Sequence, residues 1–269
     1  MKVRIRFRKY GALRFIGHLD VMRFFQKVMR RAQIPIAFTS GYSPHMIMSF
    51  ASPLGIGLTS DGEYFDIELK ESISSEEAVR RMNAVTAEGI EVVSFRQIVE
   101  EKKMTGMAIV AAADYLVGMS TQKEPNCFRK YEADITAFLE QPRIIVLKQT
   151  KRTEQEVDIR PLIYQMDLRE NGIYLKLAAG STKNLKPELV MSAFCRFAGI
   201  DEQKISYTWH RLEMYALSYE VHPPLTGKKY RMPDGHADLS SDNQKECGER
   251  KLVSLESLGK TIESREIHD

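Results

Sequence analysis

Two hydrophobic periodicities alternate over the first hundred residues, and their order constrains the fold more than any other feature. "KVRIRFRK" repeats with period two, so Val3, Ile5 and Phe7 share one face and Arg4, Arg6 and Arg8 the other, the pattern of a strand. "GHLDVMRFFQKVMRRAQ" switches to the helical period. Val21, Met22, Phe25, Val28, Met29 and Ala32 fall on one face, with Asp20, Arg23, Lys27, Arg30 and Arg31 opposite, and Pro35 is expected to stop the helix. Residues 46–50 read as a short buried strand entered through the loop "GYSPH". "GEYFDIEL" follows as a strand with Phe65, Ile67 and Leu69 inward and Tyr64, Asp66 and Glu68 outward. "SSEEAVRRMNAV" has a serine cap followed by acids in its first turn, and "GIEVVSFRQI" closes the set as a strand. Strand, helix, strand, strand, helix, strand is the order of a ferredoxin-like unit.

The same order recurs after the charged joint "VEEKKMTG". "AIVAAADYLVGM" reads as a strand, "YEADITAFLEQ" as a helix, and "RIIVLKQT", "EVDIRPLI" and "NGIYLKLAAG" as strands. "KPELVMSAFCRFAG" is a helix and "KISYTWHRLEMYAL" the closing strand. The expected fold is α+β: two tandem ferredoxin-like domains, 1–104 and 105–218. A flexible polar tail over 219–269 follows, with at most one short helix near "LVSLESLGK".

Several function classes drop out on motif grounds. No CxxxCxxC is present to hold a cluster, no GxxxxGK[ST] or GxGxxG to hold a nucleotide, and no HExxH, paired CxxC or GxSxG. No cofactor or metal is therefore expected. The run of ~20 apolar residues that a membrane span needs is missing, and the N-terminus lacks a continuous apolar leader. Cys127, Cys195 and Cys247 are odd in number and far apart, which fits a reducing cytoplasmic setting.

Charge is unevenly placed. Residues 1–60 hold ten cations against the single acid Asp20, a net +9. Such a block points to a polyanionic partner, although Arg4, Arg6 and Arg8 also face Asp66 and Glu68 across neighbouring strands and can be neutralised there. The phosphate-contacting candidates are Arg14, Arg23, Lys27, Arg30 and Arg31, then Lys151 and Arg152 in a later basic loop. Ser181, Asn184 and Lys186 join them just ahead of a helix N-terminus. Asp158 and Arg160 share a strand face and are expected to pair. His18, at the start of the first helix, either caps against a backbone carbonyl or stands at a pocket rim shared with Tyr42 and His45. In the second case, two histidines and a tyrosine beside arginines have the chemistry for metal-independent RNA cleavage.

The run from "FIGHLD" through "SGYSPHMIMSFASPLGIGLTSDGEYFDIEL", with the later "EVDIRPLI" and "GSTKNLKPE", resembles the radical SAM-linked protein family over residues 1–218. Members are found fused to, or encoded beside, a B12-binding radical SAM protein. The resemblance implies an accessory role in RNA or ribosome modification, with that enzyme as partner; together with the +9 block and the absent cofactor motifs, it leads to the expectation of a non-catalytic, RNA-binding or substrate-presenting protein. In outline the tandem fold is also similar to the CRISPR repeat-processing endoribonucleases, which supports the alternative of an endoribonuclease using His18 and His45. Their glycine-rich loop near the C-terminus is not visible here. A small-molecule or anion-binding module between the two domains is the third reading.

Overall fold

The computed structural model describes residues 1–122, 124–149, 154–218 and 251–264. The first half contains β1 (Lys2–Lys9), α1 (His18–Arg31), β2 (Met48–Phe50), β3 (Thr59–Glu68), α2 (Ser75–Asn83) and β4 (Ile90–Gln97). The second runs through α3 (Gly106–Ile109), β5 (Val110–Ser120), α4 (Glu132–Glu140), β6 (Ile145–Gln149) and β7 (Glu154–Asp158). It continues with β8 (Ile163–Arg169), β9 (Gly172–Ala178), α5 (Pro187–Phe197) and β10 (Ser206–Ser218). The C-terminal stretch adds β11 (Lys251–Ser254) and β12 (Lys260–Thr261).

The fold is mixed α+β, built on one sheet of ten strands ordered β12-β4-β1-β3-β10-β5-β9-β8, with β2 beside β3 and β11 beside β10. Within it the first half is ordered β4-β1-β3-β2 and the second β10-β5-β9-β8, all antiparallel. β6 and β7 form a separate hairpin sheet. The halves join where His210 and Arg211 pair in parallel with Thr59 and Ser60. Length explains the join. β2 has three residues and covers only Phe65 to Ile67 of β3, so the start of that strand's edge is open to β10. Gly62 permits the close approach: a Cβ there would lie 2.7 Å from the Leu212 carbonyl oxygen and 2.9 Å from Glu213 Cα.

Each half has its own core. In the first, Val3, Ile5, Phe65 and Ile67 meet Phe25 and Met29 of α1 and Met82 of α2. Phe7, Phe25, Phe50 and Phe65 pack with ring centroids 4.6–6.2 Å apart, within the range for edge and offset contacts. In the second, Tyr115, Val117 and Leu175 meet Phe138 of α4 and Val190 and Phe194 of α5.

Several expectations change. The strand read from Ala108 begins only at Val110, after α3, and the stretch read as the strand "EVDIRPLI" divides into the end of β7, a 3-10 turn at Arg160–Leu162 and the start of β8. α1 is stopped by Gln33, whose φ of 51° ends the helix two residues before Pro35, with Ile34 N–H donating to the Met29 carbonyl as in a Schellman turn. Tyr64 and Asp66, read as outward, are buried at 1% and 6% exposure because the linker before α3 and the C-terminal segment cover that face. Residues 251–264, placed in the polar tail, are part of the sheet: β11 pairs with β10, β12 pairs with β4, and Leu255 is fully buried. A strand and a 3-10 turn at Glu256–Leu258 stand where a helix was expected, since the apolar residues of "KLVSL" fill the gap left beside β10. By contrast, Ser74 caps α2 as its sequence indicates, accepting from Glu77 N–H.

Candidate nucleic-acid interface

The arginines of β1 are all paired with acids of the fold, Arg4 in its interior and Arg8 at the surface. Arg4 grips Asp66 with two bonds, Nε–Oδ1 at 2.8 Å and Nη2–Oδ2 at 3.0 Å, and also donates to the Met104 and Leu255 carbonyls. Asp66 in turn accepts from Gly106 N–H at 2.7 Å. Arg6 forms no ion pair with β3, donating there only to the Asp61 carbonyl at 3.2 Å; its ion pairs are with Glu213 on β10 at 3.2 Å and Glu256 at 2.6 Å. Arg8 meets Glu91 of β4 at 3.0 Å and Asp61 at 3.5 Å. Of the three, Arg4 alone makes the expected bond to Asp66, because β10 and the C-terminal segment bring other acids to Arg6 while β4 and the start of β3 supply those of Arg8.

The cations of α1 have a different fate. Val21, Phe25, Val28 and Met29 take the core face, which turns Arg23, Lys27, Arg30 and Arg31 to solvent. Arg23 has one weak exposed contact, to Asp20 at 3.5 Å. Lys27, Arg30 and Arg31 form no ion pair among the described residues. Arg14, also exposed, lies with its guanidinium 4.7 Å from the Phe15 ring centre. The ridge foreseen on the helix's outer face is the largest unneutralised part of the basic block.

His18 begins α1 with its ring edge-on to Phe50, centroids 5.2 Å apart. It lines a cavity of about 10 Å³ with Lys9, Phe50, Ser52 and Glu63, room for roughly one water and no nucleotide. Burial lowers its pKa, so the imidazole is neutral at pH 7. His45 is exposed, and its Nδ1 lies 3.1 Å from the Thr39 hydroxyl across a turn closed by the Phe38–Met46 bridge. Tyr42 projects fully into solvent. Among the described residues no hydrogen bond or ring contact joins His18 to His45 or Tyr42.

In the second half, Ser181, Asn184 and Lys186 are exposed ahead of α5. The cap position of that helix is Lys186, without a side-chain cap, so neither Ser181 nor Asn184 serves there; Glu188 in the first turn already answers the positive helix end. Asp158 and Arg160 do not pair through their side chains. The carboxylate accepts from Ile144 and Arg160 N–H, while the guanidinium goes to the Leu139 and Ile163 carbonyls, because a 3-10 turn at Arg160–Leu162 ends the strand alternation. Lys151 and Arg152 lie outside the described residues, as does Cys247.

Three polar clusters escaped the sequence reading. Lys9, Glu63 and Arg211 are buried together where the two halves meet; Lys9 Nζ donates to the Arg14 and Ile16 carbonyls, and burial lowers its pKa while raising that of Glu63. The signal was present, since the period that puts Val3, Ile5 and Phe7 inward also puts Lys9 inward, and the one that buries Phe65 and Ile67 buries Glu63. His210 bridges Thr59 (Nδ1–Oγ1, 2.8 Å) and Asp61 (Nε2–Oδ2, 3.0 Å), locking the parallel join. Asp114 accepts from the Tyr174 and Tyr215 hydroxyls at 2.8 Å each. No sequence pattern announces these last two, which need the strand register.

Among the described residues, no group of three or more His, Cys, Asp or Glu is placed to hold a metal ion, and no helix is long and apolar enough to cross a membrane. A groove of about 480 Å³ lies between α2 and β4 at the sheet edge, not between the halves. The molecule is thus a mixed α+β protein with an exposed basic helix face. The chain belongs to the bacterial family described as "Uncharacterized protein conserved in bacteria (DUF2344)", whose model matches residues 2–187. That description names no activity or partner. No curated protein matches the chain.

Proposed function

We propose that this chain is a non-catalytic RNA-binding protein, acting as an accessory or substrate-presenting partner in RNA or ribosome modification, with its phosphate contacts on the outer face of α1. One observation carries the reading: the basic block divides into β1 cations paired within the fold and α1 cations left at the surface. An unneutralised helical ridge is suited to follow a phosphate backbone. The strand orders of the halves support reading each as a ferredoxin-like unit, with the β6–β7 hairpin as an insertion. The enzyme partner in this reading is the B12-binding radical SAM protein that the sequence resemblance implies, and the setting is cytoplasmic. The endoribonuclease alternative requires His18 and His45 to act on one bond, and no contact brings them together.

The test is fluorescence anisotropy with tRNA and ribosomal RNA fragments over a salt series. Four engaged cations give a log–log salt slope of about −3 on single strands. The combined variant Lys27→Ala, Arg30→Ala and Arg31→Ala is expected to flatten that slope without loss of fold. Absence of any salt-dependent RNA affinity in the parent protein overturns the proposal.

A further inference from the structure

The residues just ahead of the ridge are exposed for no reason the fold requires. Phe15, Leu19 and Ile56 are 61%, 65% and 66% exposed, although the core face of α1 is complete without them. Two links hold the loop of Ile56 against the segment that carries Phe15 and leads into α1. Gly57 N–H donates to the Arg14 carbonyl at 2.8 Å, seating the loop around Ile56 on the turn that carries Phe15. Ile56 Cδ1 comes within 3.8 Å of the point where a Cβ on Gly17 would stand. Leu19 then opens the exposed line Leu19, Arg23, Lys27, Arg30. At 100° per residue, these four fall within an arc of about 80° and run about 17 Å along the helix. An aromatic ring with a guanidinium on it thus stands in the turn that leads into the helix bearing this row of cations.

We infer that Phe15, flanked by Leu19 and Ile56, is a base-stacking platform, and that the nucleic acid taken by this surface is single-stranded. The inference rests on the RNA-binding reading above and specifies its substrate. Cations that track phosphates and an aromatic face that receives a base are the two parts of single-strand recognition. A duplex keeps its bases stacked inside and offers Phe15 nothing. An anionic membrane would need a broad apolar helix face, and that of α1 is buried against the sheet. Arg14 lies on one side of the ring and adds a cation–π contribution to the platform.

The experiment compares a labelled single-stranded oligoribonucleotide with the same strand annealed to its complement, and both with vesicles containing anionic phospholipid. Phe15→Ala is expected to weaken single-strand binding roughly 5- to 150-fold, the effect of losing one stacked base. The salt slope and any duplex affinity should be unchanged, and Phe15→Trp should retain binding. Equal single-strand affinity for Phe15→Ala and the parent, with ridge variants still impaired, removes the platform and leaves the RNA reading standing. No binding of either strand by the parent removes the RNA reading itself. A Phe15→Ala defect confined to the vesicles assigns the patch to a lipid surface and overturns the inference. Phe15 is exposed, so an unchanged melting curve is expected to separate these outcomes from misfolding.

Discussion

Arg211 on β10 lies against Glu63 on β3, Nε to Oε1 at 2.9 Å, with neither side chain more than 4% exposed. The aligned hydrogen bond of the pair is Nη2 to Oε2 at 3.3 Å, and Arg211 also donates to the Pro53 carbonyl. Lys9 is the third member, so the junction of the half-sheets holds two buried cations and one carboxylate. A buried pair contributes little net stability while intact, but breaking it on one side leaves an uncompensated charge.

Glu63→Ala should therefore destabilise the protein by about 3–5 kcal/mol, read as a shift in the urea midpoint. The double variant Glu63→Met with Arg211→Met should lose clearly less than the two single losses together. Strict additivity would mean that the residues do not act as a pair.

Gly62 lets β10 approach β3. Adding a methyl 2.7 Å from the Leu212 carbonyl oxygen in Gly62→Ala should cost about 1–3 kcal/mol in thermal or urea unfolding. Gly55→Ala, where the nearest atom is the flexible end of Leu58 at 3.4 Å, should stay within about 0.5 kcal/mol.

Asp66 clamps Arg4 and the Gly106 amide together, tying the linker between the halves to the sheet. In Asp66→Ala the Gly106 N–H should lose its protection in native-state hydrogen exchange, while amides in the core of β5 keep theirs at low denaturant. Unaltered exchange at Gly106 would count against the clamp.

Burial holds the His18 imidazole below its ordinary pKa of about 6.5. The unfolded chain therefore takes up this proton first, and stability falls as pH drops through that value toward the folded pKa. The difference in urea midpoint between parent and His18→Phe should shift in the variant's favour between about pH 7.5 and pH 5.5. A difference constant with pH would remove the burial argument.

Much of the local structure was legible because its causes are local. The period of "KVRIRFRK", the apolar face of α1 and the serine ahead of α2 each depend on neighbours within a few residues. The ridge on α1 was legible for the same reason, since once Val21, Phe25 and Met29 face the core, Arg23, Lys27 and Arg30 must face away. Lys9 and Glu63 were legible in principle, being charges at inward positions of two strands.

The sequence by itself thus determined most strands and helices of the first half and which face of α1 is basic, but not β11, β12 or the turn at Arg160–Leu162. The tertiary structure alone decided that the two halves share one sheet, because that turns on how much of β3 a three-residue β2 leaves uncovered. It also decided which cations remain at the surface. Arg6 finds Glu213 and Glu256 more than two hundred residues along the chain, whereas among the described residues no acid comes to Lys27, Arg30 or Arg31. Pairing of that kind depends on the packing of distant segments, and periodicity carries no information about it.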